Sequence, residues 1–158
     1  MQNSSENQHS PRRLRRLREV YTQRHRPLFF LTACTEGRRN ILANEDIHRA
    51  FLDYCLKSPE KSGVWIGRYV IMPDHIHVFV SSEGSTGISR WIGSLKKYLS
   101  SLFRAKGIKG PFWQEGFFDH ILRSGESYSE KWKYVFNNPV RAGLVKEAGN
   151  WSYAGEIN

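Results

Sequence analysis

Residues 63–82 read GVWIGRYVIMPDHIHVFVSS. Two runs rich in β-branched and aromatic residues meet around Met72, Pro73 and Asp74. Proline has no N–H to give a central ladder, so it punctuates the run and the segment reads as a hairpin. Side chains alternate along a strand. His75, His77 and Phe79 therefore share one face of the second strand, while Ile76, Val78 and Val80 fill the other.

Working outward, LFFLTACT (28–35) is apolar and ends in the turn-like EGRRN, which predicts a buried strand. Asn44 precedes EDIHRAFLDYCLKS, whose Ile47, Ala50, Phe51, Tyr54 and Cys55 fall at helical spacing behind an acidic first turn. The clearest amphipathic helix is ISRWIGSLKKYLSSLFRAKG, with Ile88, Trp91, Ile92, Leu95, Tyr98, Leu99 and Leu102 on one stripe. After the Gly107–Gly110 turn, PFWQEGFFDHILRS predicts an extended segment bent at Gly116. A last helix is expected from near Ser127 to about Asn138, where Pro139 interrupts it. The order β-α-β-β-α-β-α predicts an α+β domain of ferredoxin-like type, an antiparallel or mixed sheet with helices packed mainly on one face.

A chain of 158 residues has room for one such domain. We expect it to occupy 27–158, behind a basic, flexible arm at 1–26. Lys and Arg number 24 against 15 acids, a formal charge of +9 with a pI near 9.8. Mean hydropathy is −0.57 and no apolar run approaches the roughly 20 residues that span a bilayer, which argues against a membrane protein. Hydrophobic residues at 39% and aromatics at 13% exclude a disordered basic chain. With only Cys34 and Cys55, neither a disulfide framework nor a structural zinc site is indicated, and a reducing cytoplasm is expected.

The charge is clustered. Residues 1–26 carry +5, and Arg90, Lys96, Lys97, Arg104, Lys106 and Lys109 lie in a stretch with no acid. Either patch alone reads equally well as a solvated face; together they favour a phosphate-backbone partner, with Arg12, Arg13, Arg15, Arg16, Arg90, Lys96, Lys97 and Arg104 as candidate contacts.

An H-x-H pair on a strand can converge on one cation, although most such pairs are surface histidines. A histidine-triad hydrolase would need a third His where Phe79 stands. A zinc hydrolase of the H-x-H-x-D type would need an Asp there. A third possibility is a divalent cation that polarises a phosphodiester, with the nucleophile supplied elsewhere. The last helix offers one. Tyr128, Trp132, Val135 and Phe136 form its apolar stripe, Tyr134 falls outside that stripe, and Asn138 lies one turn further on the same flank. Read separately, Tyr134 is a half-exposed aromatic and Asn138 a cap for the turn VRAG.

Taken together, MPDHIHVFV, WQEGFFDHILRS and YVFNNPVRAGLV resemble the single-strand DNA transposases of the HUH tyrosine class, and more narrowly the bacterial REP-associated tyrosine transposases. The resemblance spans about 27–153, with the motifs in the family's order. It implies an HUH endonuclease fold in which His75, His77 and Asn138 hold Mg²⁺ or Mn²⁺ and Tyr134 is the nucleophile. Related insertion-sequence enzymes usually carry Gln where this chain has Asn138, which points to the REP-associated branch. The implied chemistry is cleavage and rejoining of single-stranded DNA beside a short palindromic hairpin through a 5′-phosphotyrosine. His120 and Gln114 are auxiliary candidates. Arg123 and Arg141 join the DNA contacts, and Trp113, Phe117 and Phe118 are candidates to stack on unpaired bases. The resemblance implies a bacterial, nucleoid-associated protein acting as monomer or homodimer with no obligate protein partner. The rival readings are a domesticated hairpin-binding protein that does not cut and a phosphodiesterase acting through water.

Overall fold

A computed structural model describes residues 26–83, 85–122 and 125–157. Its sheet has five strands: β1 (Leu28–Cys34), β2 (Val64–Ile71), β3 (His75–Ser82), β4 (Phe118–Leu122) and β5 (Ala154–Glu156). They are ordered β4-β1-β3-β2-β5, and every neighbouring pair is antiparallel. The expected hairpin is β2–β3. Its connection is closed by the Met72 N–H donating to the His75 carbonyl at 2.8 Å, and it is fastened to the chain after β1 by Thr35 N–H on the Asp74 carbonyl at 2.9 Å.

Helix α1 (Glu45–Ser62) begins where the sequence places it. The Asn44 side chain accepts from the Ile47 N–H at 3.1 Å, and Gly63 ends the helix in the left-handed region at φ +64°. Helix α2 (Ser85–Ala105) lies beside it. The Trp91 indole donates to Ser58 Oγ at 2.8 Å, so the one buried polar atom of the ring is satisfied across the helix pair. Both helices cover the sheet face formed by Leu31, Ile66, Ile76, Val78 and Val80, with Phe51, Leu95, Leu99 and Phe103 filling the layer between.

The opposite face is covered by the shorter α3 (Gly125–Phe136). There Leu28, Phe30, Val70, Phe79 and Leu122 pack against Tyr128 and Val135. Phe79 is fully buried and meets Tyr128 edge-on at 4.7 Å and Trp132 at 6.0 Å. The α+β antiparallel architecture is as expected, with the two long helices on one face and α3 on the other.

Two details differ from expectation. Helix α3 stops at Phe136, and Pro139 does not terminate anything: it sits in the first turn of a new short helix, α4 (Asn138–Arg141), with Asn137 at the N-cap position and its side chain turned back to the Lys133 carbonyl. Proline's missing N–H is harmless in a first turn, so the residue that breaks a helix interior also starts one. The second is β5, three residues with no alternation for sequence to display. It is held on β2 by backbone pairing and by Trp151 Nε1 donating to the Ile71 carbonyl at 2.9 Å. Among the described residues no helix is long and apolar enough to cross a membrane.

Phe79→Ala removes the ring that seats α3. It should cost about 3–5 kcal/mol in chemical denaturation, while far-UV circular dichroism of the folded protein changes little.

Candidate active site

The period of two along β3 directs His75 and His77 to the face covered by α3, and the register sets their neighbours. Thr32 lies opposite His77 and Cys34 opposite His75. Thr32 Oγ1 is 2.8 Å from His77 Nδ1, and Asp74 Oδ1 is 2.7 Å from His75 Nδ1. A carboxylate only accepts, so His75 carries its proton on Nδ1. The Thr32 hydroxyl can accept from His77 Nδ1, and the Asn138 N–H facing His77 Nε2 at 3.0 Å gives that ring the same tautomer. Both Nε2 lone pairs then face inward, 3.1 Å apart.

Two facing lone pairs repel unless a donor or a cation lies between them. The Asn138 amide supplies the donor: Nδ2 is 3.0 Å from His77 Nε2 and 3.3 Å from His75 Nε2. This contact exists because the helix cap falls on Asn137, whose own Nδ2 donates to the Lys133 carbonyl at 2.8 Å, leaving the amide of Asn138 to face the sheet. Tyr134 is one turn earlier, with 62% of its surface exposed. Arg141 fastens the two, its Nη1 donating to the Tyr134 carbonyl at 2.7 Å and its guanidinium carbon lying 3.9 Å from the Tyr134 ring centre. Its Nη2 is 3.4 Å from Asn138 Oδ1.

Burial governs the imidazoles. It pushes the His77 pKa down to about 3, helped by the neighbouring His75 and by the positive charges of Lys131, Arg141 and Arg38. His75 is lowered too, burial outweighing the opposing pull of Asp74. Burial works against ionised Asp74, yet its bonds from His75 and Arg38 keep it below the usual carboxylate range. Arg38 donates from Nε to Asp74 Oδ2 at 2.7 Å and stands at φ +53° beside Gly37 at +64°.

His75 Nε2, His77 Nε2 and Asn138 Nδ2 are separated by 3.0–3.3 Å, close to the roughly 3 Å between adjacent ligands of a small divalent cation, so the amide turned over to bring Oδ1 to the place of Nδ2 would complete one face of an octahedron. Both histidines are neutral, as ligands must be, and the amide oxygen is a hard donor. Among the described residues no three His, Cys, Asp or Glu side chains are placed to hold one metal ion, so an amide is the third donor this set offers.

The family model for IS200-like transposases matches residues 28–138. The chain belongs to this family. It is 30% identical over 90 residues to the REP-associated tyrosine transposase of Escherichia coli (strain K12), a match covering 56% of this chain and 52% of that protein. The chain thus spans about half the length of that relative. It is 24% identical over 151 residues to an uncharacterised protein of Haemophilus influenzae, covering 76% and 84% of the two chains. The solved structure of a REP-associated tyrosine transposase bound to a REP hairpin superposes with a TM-score of 0.67 at 26% identity, covering 81% of this chain and 75% of that one.

The other candidate residues fall elsewhere. His120 is on β4, opposite Phe30, two strands from β3. The Gln114 N–H donates to the Cys34 carbonyl at 3.0 Å, at the end of β1 where His75 is the partner. Arg90, Lys96, Lys97 and Arg104 are on α2, across the sheet from the histidines. Among them Lys96 is half-buried and donates to the carbonyls of Gln114 (3.1 Å) and Gly116, an internal tie. Arg12, Arg13, Arg15, Arg16 and Arg123 lie outside the described residues. Sequence reasoning missed Thr32, Asp74, Arg38 and Lys131. Thr32 was the most accessible of these, being a polar residue on the strand face of Phe30 and Cys34.

His77 has a folded pKa of about 3 against an ordinary 6.5. Below pH 6.5 the unfolded chain takes up the proton and the folded chain does not, so stability is complete above 6.5 and declines as pH falls toward 3. In metal-free buffer the melting temperature should therefore drop between pH 7 and 5, and His77→Gln should flatten that slope; equal slopes would refute the assignment.

Proposed function

We propose that this chain cleaves and rejoins single-stranded DNA beside short hairpins, with Tyr134 as nucleophile and a 5′-phosphotyrosine as intermediate. The observation that carries the reading is the convergence of His75 Nε2, His77 Nε2 and the Asn138 amide within 3.0–3.3 Å, one helical turn from an exposed tyrosine. Family membership and the hairpin bound by the structural relative support a DNA substrate.

His75, His77 and Asn138, through its amide oxygen, would hold a divalent cation, and two imidazoles suit Mn²⁺ better than Mg²⁺. Such an ion supplies Lewis-acid polarisation of a scissile phosphate. Tyr134 attacks phosphorus: the bond from its phenolic oxygen forms, the bond to the 3′ oxygen breaks, and the phenol's proton is balanced by the one taken up by the released 3′-OH. The phosphotyrosine conserves the ester, so a 3′-OH can reverse the step and join strands without ATP. Asp74 fixes the His75 tautomer, Thr32 anchors the His77 ring, and Arg141 ties the Tyr134 and Asn138 segments together. We also read residues 27–158 as the catalytic domain and the arginines of 1–26 as an arm that grips phosphates.

Incubated with a labelled hairpin oligonucleotide and Mn²⁺, the protein should form a protein–DNA adduct that survives denaturation. Tyr134→Phe should abolish it, and His75→Ala should abolish it while hairpin binding persists. An adduct from Tyr134→Phe, or cutting that continues in EDTA, would overturn the mechanism. Thr32→Val should weaken Mn²⁺ binding by roughly 10–100-fold in calorimetry.

A further inference from the structure

The face that carries the histidines continues past them to the open edge of the sheet. Two rungs cross it: His77–Thr32–Phe118 and Phe79–Phe30–His120. Phe30 stacks on His77, with ring centres 5.2 Å apart and planes 23° from parallel. Above Phe30, the ammonium of Lys131 sits 4.7 Å from the ring centre. Beyond Phe30 and Thr32 lies β4, which is an edge strand, and there the packing stops. Phe118 is 71% exposed and His120 is exposed. The preceding Phe117 turns the other way and packs against the main core, and Asp119 alternates off this face as well.

An isolated exposed phenylalanine needs no explanation. This one lies on the same rung as His77, a half-buried histidine of the candidate site, about two strand spacings or roughly 10 Å away. Thr32 lies between them, and on the neighbouring rung Phe30 is roofed by the Lys131 ammonium. Three cations, Lys131, Arg141 and Arg38, lie close enough to His77 for their charge to act on it. Asp74, the acid nearest the pair, is engaged by His75 and Arg38.

We propose that Phe118, with His120 beside it and Lys131 above Phe30, forms a binding track for the unpaired nucleotides that flank the scissile phosphate. A base lies flat on Phe118 and a backbone phosphate meets Lys131. Every base has a π-face and only an unpaired one can offer it, so the track selects single strands with little regard to sequence. His120 thereby serves as a contact surface rather than a proton carrier. The inference rests on the phosphodiester reading of the His75–His77–Asn138 cluster and concerns a different strip of surface.

The test uses two probes: a thymidine oligonucleotide bearing one fluorescent adenine analogue, and a blunt DNA hairpin of equal length. Wild type should bind the single strand with quenching of the analogue. Because Phe118 is on the surface, Phe118→Ala should fold normally, lose the quenching, bind the single strand roughly tenfold more weakly and leave blunt-hairpin affinity unchanged. Phe118→Trp should restore both signals. Lys131→Gln should reduce the slope of log affinity against log salt for the single strand by about 0.7. Unaltered single-strand binding by Phe118→Ala, or an equal loss for both probes, overturns the track. The phosphotyrosine adduct is scored separately, so it can stand if the track falls, and its absence with intact quenching would overturn the chemistry alone.

Discussion

Strand β3 is covered on both faces, and the site depends on that. Ile76, Val78 and Val80 are committed to the large core under α1 and α2, which by the period of two commits His75, His77 and Phe79 to the face under α3. A slip of one residue would drive two imidazoles into an apolar layer and expose three aliphatic chains, so the register is strongly specified. Phe79 does for α3 what Ile76 and Val78 do for the two long helices. The same alternation that builds the core therefore aims the histidines and brings the tyrosine-bearing helix over them.

That placement has an electrostatic cost which the neighbours offset. These half-buried imidazoles stay neutral, so each needs a partner for one N–H and something to face the remaining lone pair. Thr32 and Asp74 take the N–H groups, and the Asn138 amide faces both lone pairs at once. Asp74 would itself be an exposed liability beside a half-buried histidine without Arg38, which reaches it from a left-handed backbone position that an arginine adopts only when its surroundings hold it there. The two imidazole lone pairs are thereby oriented before any ligand arrives, with the Asn138 amide facing them and positive charge around them.

Much of this was legible in the sequence because it follows from local periodicity. The alternation of MPDHIHVFV puts the two histidines together, and the 100° step of the last helix takes Tyr134 off its apolar stripe. What escaped was non-local. The cap at Asn137 depends on Pro139 starting a turn, and proline reads equally well as a stop. Thr32 meets His77 through strand pairing and Arg38 meets His75 from the turn after β1, each across more than 30 residues of intervening chain. The basic stretch 90–109 was recognisable as a cationic helix, but an amphipathic pattern cannot say which face of the sheet the helix covers. It covers the one opposite the histidines, and Lys96 turns inward to cap carbonyls.

The helix break at Asn137 raises a mechanical problem, because the proposed nucleophile is on α3 and the amide donor is on α4. Two helices joined at a single capping residue could pivot, and a small pivot would separate Tyr134 from the histidine pair it must serve. Arg141 bridges the break. One guanidinium nitrogen holds the Tyr134 carbonyl, the planar group lies over the tyrosine ring, and the other nitrogen reaches the Asn138 oxygen. Lysine could make one of these contacts, but a rigid planar fork is needed to make all three. Sequence placed Arg141 among the DNA contacts. Its position also makes it the brace between two helices, so the geometry of the site is set by β3 from below and by one arginine from the side.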